Sequence, residues 1–488
     1  MSVQQSAESV HESAGTAPVI ARVNALFDAQ RAHRWTMART TASERATRLR
    51  QLKQAIIARK QDLFDAIHAD FRKHQVEVEL SELQPVLQEI DHTIKHLAKW
   101  MRPRRVSTPL LLFGTHSEVR YEAKGVMLIL SPWNYPFYLT INPLVGAIAA
   151  GNTAIVKPSE KTPNTSRFIA SLVADVFDPR EATVVEGEVD VAKALLDLPF
   201  DHITFTGSTA VGKIVMAAAA KHLTPVTLEL GGKSPAIVDE TADPVEAARR
   251  IAWGKFLNCG QTCVAPDYVL VHTSRADAFL DALKGVVDES FGATPDAVHD
   301  STDLCRLVDN GAFERVAGLV DDATSRGARV VAGGQRDASD RFIAPTVLAD
   351  VPDDAAVMQE EIFGPVLPVL RVGSVDEAIA FVQARPKPLA LYVFSSRDAN
   401  VERILAHTNA GGTAVNNVVV HLANTNLPFG GTGASGMGNY HGEFGFREFS
   451  HERAVLRQGW PNMFAMFFPP YGEKVRKMVA RVTWYVSR

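Results

Sequence analysis

Residues 202–230 read HITFT (202–206), GSTAVGKIVMAAAAKHLTP (207–225) and VTLEL (226–230). Two short apolar runs flank a segment that predicts one helix over 211–222. A strand, a glycine turn, a helix and a second strand form a βαβ unit, which places both strands in a parallel sheet. The same alternation runs upstream: VMLIL (126–130), TAIVK (153–157) and TVVEG (183–187) read as buried parallel strands, with a helix over 164–177. A second series follows through SPAIV (234–238), YVLVH (268–272), RVVAG (329–333), VLPVL (366–370), LALYVF (389–394) and TAVNN (413–417). The expected fold is α/β, with two doubly wound parallel-sheet lobes.

At 488 residues the chain holds two or three domains, taking roughly 150 residues per domain. Hydrophobic residues at 46% and charged residues at 22% match an ordinary globular chain, and 32 Gly with 26 Pro exclude collagen-like or low-complexity sequence. Fifty-one basic against 55 acidic residues leave a net charge of -4, so no nucleic-acid partner is expected. Three cysteines, Cys259, Cys263 and Cys305, cannot build a disulfide framework, which points to a reducing compartment. The first twenty residues lack the basic and apolar regions of a secretory signal, and no apolar run reaches the ~18–20 residues of a membrane span. A cytoplasmic location is expected.

Residues 1–18 read as a disordered tail. Thr41 with Glu44 predicts a capping box, after which Leu49, Leu52, Ile56, Leu63 and Ile67 recur on one helical face. Two extended runs around a glycine suggest a projecting hairpin over 102–125.

After HITFT, the turn Gly207-Ser208-Thr209-Ala210-Val211-Gly212-Lys213 opens a helix, a geometry that offers backbone N–H groups to a phosphate. It nearly spells a P-loop. Ile214 stands where Ser or Thr would ligate Mg²⁺, which disfavours a nucleotide hydrolase. The usual G-x-G-x-x-G fingerprint is also absent, so a dinucleotide would need a variant turn; a purely structural turn is the alternative.

Three further features carry chemistry. Cys263 sits in the turn Asn258-Cys259-Gly260-Gln261-Thr262, where access and hydrogen-bond donors would favour a reactive thiolate. As a metal site the cysteine pair lacks two ligands, so no metal is expected; Cys259 and Cys305 read as inert buried thiols. Glu229, at the end of an apolar strand before Gly231 and Gly232, would have its pKa raised by burial and suit general-base work, unless it pairs with Lys233. Asn134, in Ser131-Pro132-Trp133-Asn134-Tyr135-Pro136, would either aim its amide at an oxyanion or merely form a turn.

SPWNYP, VKPSE, FTGS, LELGGK, GQTC, EEIFGP and NLPFGG together resemble the aldehyde dehydrogenase superfamily, in its order and approximate spacing, from about Leu49 to about Ser450. APDY after Cys263 and the short stretch before SPWNYP resemble the class 3 branch, which acts on fatty and aromatic aldehydes. Departures lie at the N-terminal tail and after Arg457. The resemblance implies that Cys263 is the nucleophile, Glu229 the general base, and Asn134 with the Cys263 N–H the oxyanion hole. It implies NAD as cofactor, with NADP possible in this branch. Lys157 and Glu160 would hold the adenine ribose, residues Gly207 to Lys213 would lie beside the pyrophosphate, Glu361 would hold the nicotinamide ribose, and Phe363 would border the nicotinamide. A carboxylate at 160 favours free ribose hydroxyls over a 2′-phosphate.

The implied organisation is a cofactor domain over 19–230 that includes the 102–125 hairpin, a catalytic domain over 231–424, a return with a bridging strand over 425–458, and an amphipathic segment over 459–488. A homodimer is the implied assembly and a small-molecule aldehyde the implied substrate. In the last segment Val475, Met478, Val479, Val482 and Tyr485 or Val486 share a helical face, with Lys474, Arg476, Lys477 and Arg481 elsewhere. Such a helix either packs on its own chain or on a dimer partner, where it would cover the substrate entrance, or makes weak peripheral contact with the inner face of a membrane. Its aromatic residues hint at long-chain or aromatic substrates. Two rival functions are a CoA-acylating aldehyde dehydrogenase, against which Glu229 argues, and a catalytically dead binding protein, against which the joint presence of Cys263, Glu229 and Asn134 argues.

Overall fold

In the computed structural model, residues 16–487 are described. Of the expected tail, residues 1–15 lie outside the described residues, and 16–18 open the helix Thr16–Ala38. Thr41 caps the helix Ala42–Ala58 through the reciprocal box with Glu44. Its apolar face continues across Arg59 into Lys60–Phe71, and Leu49, Leu52, Ile56, Leu63 and Ile67 are all buried.

The first sheet has six strands. Val126–Leu130 lies inside it, flanked by Thr153–Lys157 and then Ala182–Val184 on one side, and by His202–Thr206 and then Val226–Glu229 on the other, all parallel. The short strand Gly436–Met437 closes the edge antiparallel to Val226–Glu229, so the chain returns to this sheet after building the second. Val126–Leu130, Thr153–Lys157 and His202–Thr206 are buried throughout, as strands covered on both faces must be. The helix Pro163–Val176, which opens on a proline, leads from Thr153–Lys157 to Ala182–Val184, and Thr209–Ala220, which opens on the Ser208 cap, leads from His202–Thr206 to Val226–Glu229.

The second sheet runs Arg329–Ala332, Thr346–Ala349, Val366–Val372, Tyr268–His272, Pro235–Val238, Ala390–Phe394, Gly412–Val415. Its strands are parallel except Arg329–Ala332, an antiparallel edge strand whose first residues are exposed. The strand Thr346–Ala349, only four residues long, was not among the expected strands.

The hairpin stands apart as a three-stranded antiparallel sheet of Arg104–Val106, Thr115–Ala123 and Ser450–Gln458, with Ser450 opposite Ala123 and Gln458 opposite Thr115. Gly114, at φ +90°, makes its turn. Beyond it, the helix Glu473–Val486 has no buried residue, and only Val475, Met478 and Val482 are half-covered. Packing of this helix into the body of its own chain is therefore not what the fold provides. No helix among the described residues is long and apolar enough to cross a membrane.

Candidate active site

Three segments converge: the loop after Val126–Leu130, the end of Val226–Glu229, and the loop between the 3₁₀ turn Leu257–Gly260 and the strand Tyr268–His272. The first and third are cross-braced. Asn258, in the left-handed region at φ 53°, donates its side-chain amide to Asn134 O at 2.8 Å and to Gln261 O at 3.1 Å. Asn134 Nδ2 in turn donates to Gln261 O at 3.0 Å. Gln261 reaches past them, accepting from Val308 N at 2.9 Å and donating to Arg306 O at 3.2 Å. Tyr135 and Thr262 share a hydroxyl hydrogen bond of 2.6 Å. The side-chain amides of Asn134, Asn258 and Gln261 are thus all engaged, which holds Cys263 and Asn134 in one frame.

Cys263 is half-buried and faces a cavity of about 970 Å³ lined by Tyr135, Tyr138, Leu139, Trp253, Phe256, Val286, Phe291 and Phe429. Cys259 and Cys305 are buried away from it, and Cys305 Sγ donates to Asn258 Oδ1. The sequence suggested donors that favour the thiolate. The backbone N–H groups of Cys263 and Val264 do point that way, but they are outweighed: burial, then the carboxylates of Glu361 and Glu229, push the thiol up.

Glu229 is buried, and neither carboxylate oxygen has a hydrogen-bond partner within the chain. Pairing with Lys233 does not occur. Lys233 Nζ instead donates to Asp267 and to the carbonyls of Val357 and Glu360. Burial first, and the Glu448 carboxylate second, raise the Glu229 carboxyl well above the usual range.

Of the residues expected to face a nucleotide, the glycine turn lies beside Glu229, while Lys157 and Glu160 follow a strand farther along the same sheet. Gly207 N donates to Glu229 O at 3.0 Å, tying the glycine turn to the strand end. Ser208 accepts from Val211 N at 3.4 Å, Thr209 Oγ1 donates to Ala434 O at 3.1 Å, and Ala210, Val211 and Lys213 are exposed. Gly212 is the close-packing position, because a Cβ there would lie 2.7 Å from Leu230 Cδ2. Lys157 is buried and donates to Glu160 Oε2 at 2.9 Å and to Pro158 O at 3.1 Å. Glu361 Oε1 has no partner, and burial with the nearby Asp267 pushes this carboxyl up to about 8. The glycine at 231 leaves room for the Glu361 carboxylate against its backbone. Glu360 points elsewhere, to Arg315. Phe363 meets Trp133 edge-on at 5.3 Å, which joins EEIFGP to SPWNYP.

Several residues around this centre had no local sequence signal. Tyr138 OH shares a 3.0 Å hydrogen bond with His441 Nε2, and Tyr440 OH, buried with no partner, lies within electrostatic reach of Tyr138, Glu229 and Cys263. An aromatic pair among glycines in Asn439-Tyr440-His441-Gly442 was the one available hint. Among the described residues no cluster of three or more His, Cys, Asp or Glu would hold a metal ion.

Residues 11–455 match the aldehyde dehydrogenase family. The chain is similar to aldehyde dehydrogenase family 3 member A2 of Rattus norvegicus, 44% identical over 90% of this chain and 88% of that protein. Among solved structures it is similar to the substrate-bound state of Staphylococcus aureus AldH, with a TM-score of 0.90 and 44% identity over 94% of this chain and 99% of that one. It is also similar to Mycobacterium tuberculosis aldehyde dehydrogenase complexed with NAD+, with a TM-score of 0.82 and 30% identity over 90% and 91% of the two chains. With the fold, the ordered motifs and a match over most of the chain in agreement, the chain belongs to the aldehyde dehydrogenase family and is an oxidoreductase acting on the aldehyde group.

Proposed function

We propose that this enzyme oxidises a long-chain aliphatic or aromatic aldehyde to the carboxylic acid, with NAD+ as cofactor, through a thiohemiacetal and a thioester on Cys263. One observation carries this reading: Cys263 is the cysteine that opens onto a large apolar cavity, and its thiol feels the unpaired Glu229 carboxylate. The cavity volume of about 970 Å³ and its aromatic lining suit a bulky apolar substrate better than a short one.

The chain's residues act in sequence. The Cys263 sulfur adds to the aldehyde carbon, the C=O π pair moves onto the oxygen, and the thiol proton passes to water in the cavity as the C–S bond forms, because burial disfavours a free thiolate. The Asn134 side-chain amide and the Cys263 N–H stabilise the oxyanion; the bracing by Gln261 and Asn258 fixes the Asn134 side chain before substrate arrives. Glu229 then takes a proton from the water that attacks the thioester, and its raised pKa suits it to that task. Bound NAD+ supplies the hydride acceptor.

The residues present fit that cofactor. Lys157 and Glu160 would hold the adenine ribose, and the capped helix start at Gly207, Ser208, Thr209, Ala210, Val211, Gly212 and Lys213 would lie beside the pyrophosphate. Glu361, half-buried with one buried, unpartnered oxygen, would hold the nicotinamide ribose, and Phe363 would border the nicotinamide. The carboxylate of Glu160 favours NAD, while the neighbouring Lys157 leaves NADP usable.

Residues 19–230 are read as the cofactor-binding unit, 231–424 as the catalytic unit and 425–458 as the return with its bridging strand, in keeping with the two sheets. The three-stranded sheet, with exposed strands and exposed Leu110 and Phe113 at its tip, supports a homodimer. The C-terminal helix supports weak contact with an anionic membrane surface at the cytoplasmic face, since Lys474, Arg476, Lys477 and Arg481 accompany exposed Trp460, Phe468, Tyr471 and Tyr485.

The test is NADH and NADPH formation with short, long-chain and aromatic aldehydes, in wild type, Cys263→Ala and Glu229→Gln. Loss of all turnover in Cys263→Ala, and a single burst of NADH without turnover in Glu229→Gln, are expected. Turnover that appears only when CoA is added would replace this reading with the CoA-acylating one.

A further inference from the structure

One face of the first sheet carries a polar stripe. His202, Thr204 and Thr206 alternate onto the same face as Thr227 and Glu229 of the neighbouring strand, with Thr204 opposite Thr227 and Thr206 opposite Glu229. All five are buried, and the adjoining strand offers Met127 and Ile129 in register with His202 and Thr204. Polar side chains in such a core require partners. The stripe finds them at the end remote from Glu229. Lys124 Nζ donates to His202 Nδ1 at 3.0 Å, His202 Nε2 donates to Thr227 Oγ1 at 2.9 Å, and Thr227 Oγ1 donates to Glu448 Oε1 at 2.8 Å.

The donor order is forced. An ammonium only donates and a carboxylate only accepts, so His202 is neutral and carries its proton on Nε2. Burial and Lys124 hold the ring well below its usual range, in agreement. Gly438, at φ +84°, clears the approach: a Cβ there would lie 2.8 Å from Glu448 Oε1 and 3.0 Å from Thr227 Cγ2. Glu448 is half-buried and so reaches solvent, while Thr204 Oγ1, across from Thr227, and both Glu229 oxygens at the far end of the stripe have no partner within the chain.

We propose that Glu448 receives the proton that Glu229 collects in each turnover and passes it to solvent, and that the chain Lys124–His202–Thr227 holds Glu448 in place for this. This rests on Glu229 being the base of thioester hydrolysis. One water O–H bond breaks as its oxygen bonds the thioester carbon, and the proton joins the Glu229 carboxylate. The Glu229 O–H proton then crosses hydroxyl groups or water of the polar stripe to the Glu448 carboxylate, which restores Glu229; no electrons move. The proton thereby leaves away from the apolar cavity and the nucleotide turn. Glu448 acts through Glu229 and is a positioning residue.

The experiment follows acid release after the NADH burst, together with steady-state turnover, in the full-length enzyme and in Glu448→Gln, Glu448→Asp and Thr227→Val. In Glu448→Gln the burst amplitude and KM stay at wild-type values, while kcat in dilute buffer falls about tenfold or more, the scale of a lost proton-transfer group. Raising the concentration of imidazole, a small diffusible base, restores that loss, and Glu448→Asp recovers part of it without imidazole. Thr227→Val shows a smaller defect of the same kind, and answers the question if Glu448→Gln does not accumulate. A wild-type kcat in these variants, or a loss that imidazole does not restore, overturns the relay. The base reading fails separately, if Glu229→Gln itself turns over normally.

Discussion

Lys73 and Glu82 form an ion pair of 2.9 Å in which neither side chain has any exposed surface. The other Glu82 oxygen accepts the backbone N–H groups of Phe137 at 2.9 Å and Tyr138 at 3.3 Å, and the Lys73 ammonium lies 4.4 Å from the centre of the Tyr135 ring. A buried charge pair two helical segments away thus anchors the loop that carries Asn134. Glu82 sits in the π-helical turn Glu79–Leu83, an insertion that shifts which side chains face inward.

Replacing Glu82 by Leu leaves Lys73 as an uncompensated buried cation and frees two backbone N–H groups. We expect a loss of about 3–5 kcal/mol in denaturant unfolding, with kcat/KM falling further than the unfolded fraction explains. A change under about 1 kcal/mol would show that the pair is not structural.

The pH dependence follows from Glu229. Burial and Glu448 raise its carboxyl well above the ordinary value, so the base form populates only as pH rises through that raised pKa. Turnover limited by thioester hydrolysis therefore climbs toward alkaline pH. In Glu229→Gln the climb disappears and turnover drops about 10²–10⁴-fold. A wild-type profile that is flat or falls across the neutral range contradicts the assignment.

Glu89 makes a stability prediction with a definite sign. Burial raises its carboxyl to about 7, against the lowering effect of hydrogen bonds from Gly442 N and Thr93. The folded state binds this proton more tightly than the unfolded chain, so the contribution is fully present below the unfolded pKa of about 4.5 and is lost as pH rises through about 7. Glu89→Gln keeps an acceptor for Gly442 N and does not titrate. Relative to wild type it gains about 3 kcal/mol between acid and mildly alkaline pH, the size of a shift from 4.5 to about 7. Melting temperatures measured at both ends of that range give the answer, and parallel curves for the two proteins refute it.

Removing residues 473–488 tests the C-terminal helix. Full-length protein is expected to co-sediment with phosphatidylserine-containing vesicles at low salt and to be released by high salt, since contact of four basic side chains is screened. The truncated protein stays in solution and keeps its activity on water-soluble aldehydes. Equal sedimentation of both forms, or of neither, removes the membrane reading.

Much of this was legible in the chain itself. Buried parallel strands need apolar runs, helices need caps, and a glycine turn needs glycine, so VMLIL, HITFT, the Thr41–Glu44 box and the turn at Gly207 announce themselves locally. Cys263, Glu229 and Asn134 stood out because each is a reactive or polar group in a setting that does not need one for packing. The strand Arg329–Ala332 was legible as RVVAG, but its antiparallel place at the edge was not, because an edge is defined by what fails to pair with it. What no window of sequence contained was partnership. Whether Glu229 pairs with Lys233 or stands alone, whether the Cys263 thiol is pushed up or down, and which carboxylate takes the Thr227 hydroxyl depend on side chains tens to hundreds of residues apart. Local propensity acts over a few residues, whereas burial and Coulomb fields act through space, and only the folded chain sets those distances.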